Sequence, residues 1–245
     1  MKRLAVLLLL GFAVLAAPAH SEPIVADFSR HRIAIGSGFT GESVVLFGAT
    51  DGPGDVIAVV RGPERDLTVW HKEKVAGIWV NGESATFLNV PSYYAVVASR
   101  PIADILTPAA AALHHIGIAT LPLETSRPMS PERRQIFLTA LIETQQRGGL
   151  FTTLPGRVVF LGDRLFRATI SFPTNVPTGT YLCEIFLARD RDVVGGQTAP
   201  LVVQKIGLDA AVSDFATHQA ALYGAIAVLT AVVAGWVASV PFRGT

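Results

Sequence analysis

Short apolar runs alternate with Gly, Pro and Asp clusters from Ile24 to Ser99, at roughly ten-residue spacing. Arg32–Ile35, Ser43–Phe47, Val56–Val60 and Leu67–Trp70 are strand-like, rich in β-branched residues. Gly77–Val80, Ala85–Leu88 and Tyr93–Ser99 bring the set to about seven strands. Asn81-Gly82 falls between two of these runs and predicts a tight hairpin, because both central residues of a type I′ turn need positive φ. That is the size of an immunoglobulin-like or fibronectin-like β-sandwich, expected over 22–101.

The period then changes. Thr107-Pro108 is a helix-opening pair, and Ala109 to His115 predicts a short helix stopped at Gly117. Ser130-Pro131-Glu132 opens a longer one, with Ile136, Phe137, Ala140, Leu141 and Thr144 on one face and Gly148-Gly149 at its end. Glu143 and Arg147 stand as an i,i+4 pair. This stretch, 102–149, reads as a helical linker or a cap packed on a sheet. Strands return at Val158–Phe160, Leu165–Phe172, Thr180–Ala188 and Pro200–Ile206, with Ile116–Leu121 as a further candidate. They predict a second, membrane-proximal sandwich over 150–208. Tyr181, Cys183, Ile185 and Leu187 share one apolar face by the period of two, which makes Cys183 a core residue.

The ends differ from the middle. Ala220 to Val240 passes without a charge and would span about 31 Å as a helix, one bilayer core. Tyr223 and Trp236 lie near its ends, where amphipathic rings suit the headgroup zone. Lys2 and Arg3 precede an apolar stretch, Leu4 to Ala17, and then Ala17-Pro18-Ala19. This is the pattern of a secretory signal peptide over 1–20, with cleavage expected after Ala19 or His20 and an uncleaved signal anchor as the alternative. An exported body with Arg243 in the tail 241–245 on the inner side obeys the positive-inside bias.

Composition adds exclusions. The apolar fraction is 50% and the mean hydropathy +0.45, raised by the two ends. The chain has 20 Lys+Arg against 19 Asp+Glu, which is no nucleic-acid footprint. With one cysteine there is no internal disulfide framework, and no Cys/His spacing reads as a zinc site.

Candidate chemistry is sparse. Gly36-Ser37-Gly38-Phe39-Thr40-Gly41 matches GxGxxG but leads into a strand-like run, whereas a dinucleotide site needs a helix there. His114 and His115 point about 100° apart on a helix and do not easily share an ion. Asp51-Gly52-Pro53-Gly54-Asp55 has the residues of a tight, solvated turn rather than the EF-hand spacing. No catalytic set and no cofactor are expected. The apolar C-terminal run does carry Ala227, Ala231, Gly235 and Ser239 at four-residue intervals, a small-residue stripe that lets another membrane helix approach.

The chain resembles the alphaproteobacterial putative transmembrane protein family. The resemblance rests on Phe39-Thr40-Gly41 before Leu46-Phe47-Gly48-Ala49, on Gly77-Ile78-Trp79-Val80, and on Val90-Pro91-Ser92-Tyr93-Tyr94. It continues through Pro177-Thr178-Gly179-Thr180-Tyr181 to Tyr223-Gly224 and Gly235-Trp236. It implies a single-pass protein of the bacterial inner membrane, with its body in the periplasm and its C-terminus in the cytoplasm. It implies no activity. The genes of this family often stand beside transporters of the sulfite-exporter type, which points to an integral-membrane partner.

The expected fold class is therefore mainly β: two immunoglobulin- or fibronectin-like modules, a helical linker or cap, and a transmembrane helix over 220–240. The expected function is non-enzymatic, with the body binding or assisting a membrane partner, such as a transporter, beside the lipid bilayer. The competing expectation is a periplasmic enzyme or ligand binder with a site between the modules, near His71, His114 and His115. A deep polar cleft favours the second, a flat β surface with apolar patches the first.

Overall fold

Two strands, Asp55–Arg61 (β4) and Tyr94–Ala98 (β7), are buried almost continuously along their length. Side chains alternate between the faces of a strand, so such burial requires a layer on both sides. In the computed structural model, which describes residues 23–75, 77–152, 154–207 and 216–239, both layers are present. The expected signal peptide and the tail with Arg243 lie outside the described residues.

The inner layer is a curled nine-stranded sheet. The remaining members are β1 (Ile24–Phe28), β2 (Arg32–Ile35), β3 (Glu42–Thr50), β9 (Gly156–Leu161), β10 (Leu165–Phe172), β11 (Gly179–Arg189) and β12 (Asp192–Lys205). They run in the order β1-β3-β10-β9-β7-β4-β11-β12-β2. Pairing is antiparallel except at β12–β2 and β7–β9. The chain crosses from one edge of the sheet to the other between β1 and β2, and the edges meet. There the Ala26 amide donates to Gln197 Oε1 at 2.7 Å. The concave side encloses one core, containing Ile24, Leu46, Val60, Tyr93, Phe166, Tyr181, Cys183, Ile185 and Leu201. Tyr93 stacks on Phe172, and both touch the Tyr181 ring.

This corrects the expectation of two sandwich modules. β3 pairs with β10, β4 with β11 and β7 with β9, so strands from 22–101 and 150–208 interleave in one sheet. Period-two patterning tells which face a residue takes and nothing about which strand lies beside it. Cys183 does sit inward with Tyr181, Ile185 and Leu187, as the alternation requires, and burial pushes its thiol pKa up.

The outer layer packs on the convex face of β4, β7 and β11. It holds the long hairpin β5 (Glu64–Val75) and β6 (Ile78–Pro91), with the short β8 (Glu124–Thr125) beside β6. The helices α1 (Ile102–Ile105), α2 (Pro108–Leu113) and α3 (Pro131–Arg147) complete it. Ile57, Val59, Tyr94, Val96 and Phe186 from the sheet meet Phe87, Val90, Ile105, Leu106, Phe137 and Leu141 in this second core. The helical segment is thus a cap. Its starts are those the sequence predicts: Thr107 Oγ1 accepts from Ala110 N at 3.2 Å, and Ser130 Oγ from Arg133 N at 3.4 Å.

Four finer expectations change. Asn81-Gly82 lies inside β6, at a register shift opposite Trp70–Lys72. The hairpin instead turns between Val75 and Ile78, where Gly77 has φ 87°. Ile116–Leu121 holds a turn of 3₁₀ helix, Ile118–Thr120, rather than a strand. α3 buries Phe137, Leu141 and Gln145, leaving Ile136 61% exposed, so its inner face is turned by about one residue. Arg147 donates to the Glu143 carbonyl at 3.3 Å and to Thr144 Oγ1, not to the Glu143 carboxylate.

β12 is longer than predicted because it runs through Gly195-Gly196. A Cβ at Gly195 would collide with the Pro23 ring, so glycine there marks a close approach between strands rather than a turn. Beyond the body, Ala220–Ser239 forms one more helix, α4.

Candidate functional site

The histidines singled out by the sequence have structural partners. The sharp end of α2 turns the chain back, with His115 at φ 51°, and this aims two carbonyls at the body. Arg61 Nη2 donates to the His114 carbonyl at 3.1 Å and to the His115 carbonyl at 3.2 Å, while Arg61 Nη1 pairs with Glu184. The Tyr94 hydroxyl donates to the His115 carbonyl at 3.0 Å and accepts from Gly117 N at 2.7 Å. Burial pulls Arg61 below the usual guanidinium range and pushes Tyr94 up. The cluster fastens the cap to the sheet. His115 Nδ1 lies 2.9 Å from the Thr120 carbonyl, and the His114 ring packs on Phe186 with centroids 5.1 Å apart.

His114, Glu184, Phe186 and the start of β12 line an open groove of about 400 Å³. A second groove, of about 710 Å³, lies where Gly82–Ser84 of β6 face Arg127–Ser130 and Arg133; Arg133 pairs with Glu83 at 3.1 Å. His71 lies on exposed β5. Among the described residues no group of three His, Cys, Asp or Glu side chains could hold a metal ion.

The Gly36–Gly41 stretch joins β2 to β3, so no helix N-terminus forms at the GxGxxG match. The Asp51–Asp55 turn is tied to neighbouring arginines rather than merely solvated. Asp51 pairs with Arg189, whose Nε also donates to the Pro53 carbonyl at 2.8 Å. Asp55 accepts from Ser99 Oγ at 2.7 Å and from Arg100 Nε at 2.9 Å. Those hydrogen bonds, that of Arg100 foremost, hold the Asp55 carboxyl below the usual range.

Among the described residues several surfaces leave large apolar side chains exposed, and two of them carry the tryptophans. The first is the far half of the β5–β6 hairpin, where Trp70 is 50% exposed, Ile78 69% and Trp79 65%. Sequence reasoning assigned these residues to strands and missed their exposure. The signal was there in their lysine neighbours, Lys72 and Lys74, which a buried strand would exclude. The second surface is α4, whose described side chains, Ala220 to Trp236, are all exposed. Ala227, Ala231, Gly235 and Ser239 belong to this helix. A Cβ on Gly235 would meet nothing within 4 Å, and the side chain of Ser239 lies outside those described.

The architecture is that of a mainly β body with an apolar helix beyond it. Residues 23–244 match the family described as "Putative transmembrane protein (Alph_Pro_TM)", and the chain belongs to that family. No curated protein matches it. Among the described residues no helix is long and apolar enough to cross a membrane. α4 is 20 residues long with side chains described only to Trp236, whereas the expected span runs to Val240.

Proposed function

We propose that the protein is a non-enzymatic component of the bacterial inner membrane, whose body works in the periplasm beside an integral-membrane partner of the transporter class. Ala220–Val240 is the single span and the C-terminus is cytoplasmic. The observation that carries this reading is α4 itself. Its described side chains are almost all apolar and all exposed, and a helix of that composition suits apolar surroundings such as a bilayer core. The grooves beside His114 and beside Gly82–Ser84 are open, and the carbonyls of His114 and His115 accept from Arg61 and Tyr94.

Ala227, Ala231, Gly235 and Ser239 are the proposed contact for the partner helix, because small residues let two backbones approach. Lipid tails are as apolar as leucine, so added bulk on that stripe removes packing without a compensating hydrophobic gain. The expected loss for Gly235→Leu is about 1–2 kcal/mol, enough to lower recovery of the partner from native membranes about tenfold. Val233→Leu, about 200° around the helix, should leave recovery unchanged. Equal recovery of both variants would reduce α4 to a tether.

A further inference from the structure

We propose that the far half of the β5–β6 hairpin is a second membrane contact, seated on the anionic headgroup surface of the bilayer that holds α4. This inference rests on the anchoring reading above, but a different part of the molecule carries it. The near half of the hairpin is held by the outer core through Leu67, Val69, Ala85, Phe87 and Val90. From Trp70 to Asn81 both strands leave that core, and every described side chain is exposed. This arm extends roughly 17 Å at a strand's rise per residue.

Its chemistry is specific. Alternation along β5 and the pairing of Lys74 with Trp79 place Trp70, Lys72, Lys74 and Trp79 on one face. Ile78 and Val80 lie on the other, with Glu73, the single acid of the arm. Indole rings favour the headgroup level, where the body of the ring is in apolar surroundings and its N–H is wet. Lysine ammoniums at the same height meet lipid phosphates.

Other occupants fit less well. The cores of protein–protein interfaces are depleted in lysine, yet here two lysines sit between the two tryptophans. A second copy adding a strand along β5, one edge of the three-stranded sheet, would meet Lys72 and Lys74, and edge lysines discourage such pairing. Tethering by α4 keeps the arm near a lipid surface and so raises its effective concentration there.

The test uses tryptophan quenching in the full chain, because its three tryptophans divide cleanly between the two proposed contacts. Trp236→Phe leaves only Trp70 and Trp79 as reporters, and Trp70→Phe with Trp79→Phe leaves only Trp236. Each protein is reconstituted into pure phosphatidylcholine vesicles and into mixed phosphatidylcholine–phosphatidylglycerol vesicles, both carrying lipids brominated near the headgroup. The arm tryptophans should be blue-shifted and quenched in the mixed vesicles, and much less so in phosphatidylcholine alone. Lys72→Gln and Lys74→Gln should each lower the bound-to-free ratio of the arm about fivefold. Quenching of Trp236 without quenching of the arm overturns the inference and leaves the anchor intact. No quenching of Trp236 in either membrane overturns the anchoring reading itself. Arm tryptophans shielded from aqueous acrylamide but untouched by brominated lipid would assign the arm to a protein surface, and would equally overturn a lipid contact.

Discussion

Asp55 shows how much a single side chain can carry where two loops meet. Its carboxylate accepts from Ser99 and Arg100, tying the start of β4 to the chain just after β7. These donors favour the ionised form, so the folded pKa lies below that of the unfolded chain. The sign follows. The stabilisation is full above the unfolded pKa of about 4 and is lost as pH falls through the folded value. Asp55→Asn should lower stability by about 1 kcal/mol at neutral pH, at the low end for a charge-assisted bond because Arg100 is largely exposed. Urea denaturation at neutral and acidic pH should show the gap between wild type and variant narrowing in acid. A gap constant with pH would mean that the charge on Asp55 contributes nothing.

At the scale of elements, α3 is the clearest case of a pattern that gave the element and missed its orientation. Ser130 and Pro131 opened the helix where the sequence put them, because capping needs only residues within one turn. The inner face was less legible, since Ile136, Phe137, Ala140 and Leu141 form an apolar arc wider than the sheet covers. Packing chose Phe137 and Leu141. Phe137→Ala should therefore cost about 3–5 kcal/mol in chemical denaturation, and Ile136→Ala within about 0.5 kcal/mol. Similar losses at both positions would place both side chains in the core. The β5–β6 hairpin failed for the opposite reason. Asn81-Gly82 is a strong turn signal on its own, but the register of two long strands moved the turn to Gly77 and used Gly82 at an irregularity.

For the whole molecule, the interleaving of early and late strands decides what can fold alone. β3 lacks β10, and β4 lacks β11, in any fragment that stops at 101. A chain of 23–101 should therefore be unfolded by circular dichroism and amide exchange, and should gain structure when 102–207 is supplied in trans. A cooperative unfolding transition of 23–101 by itself would mean that β3 and β4 hold their structure without β10 and β11.

The sequence by itself determined what is local or one-dimensional: strand-rich composition, the inward face of Tyr181–Leu187, two helix caps and the charge-free run from Ala220. Each follows from spacing along the chain, and spacing is all that a period or a cap requires. It also carried enough of the family's motifs for membership to be read before any coordinates. Only the tertiary structure decided that β1 and β2 part to opposite edges, that 102–149 is a cap, and that Arg61 claims the carbonyls of His114 and His115. It alone left Trp70 and Trp79 in the open. These are choices of partner between residues far apart in the chain, and hydrophobic patterning is indifferent to them because an apolar face can be buried equally well by many neighbours. What separates the neighbours is register, edge exposure and close approach, such as Pro23 over Gly195, and those exist only once the sheet has curled.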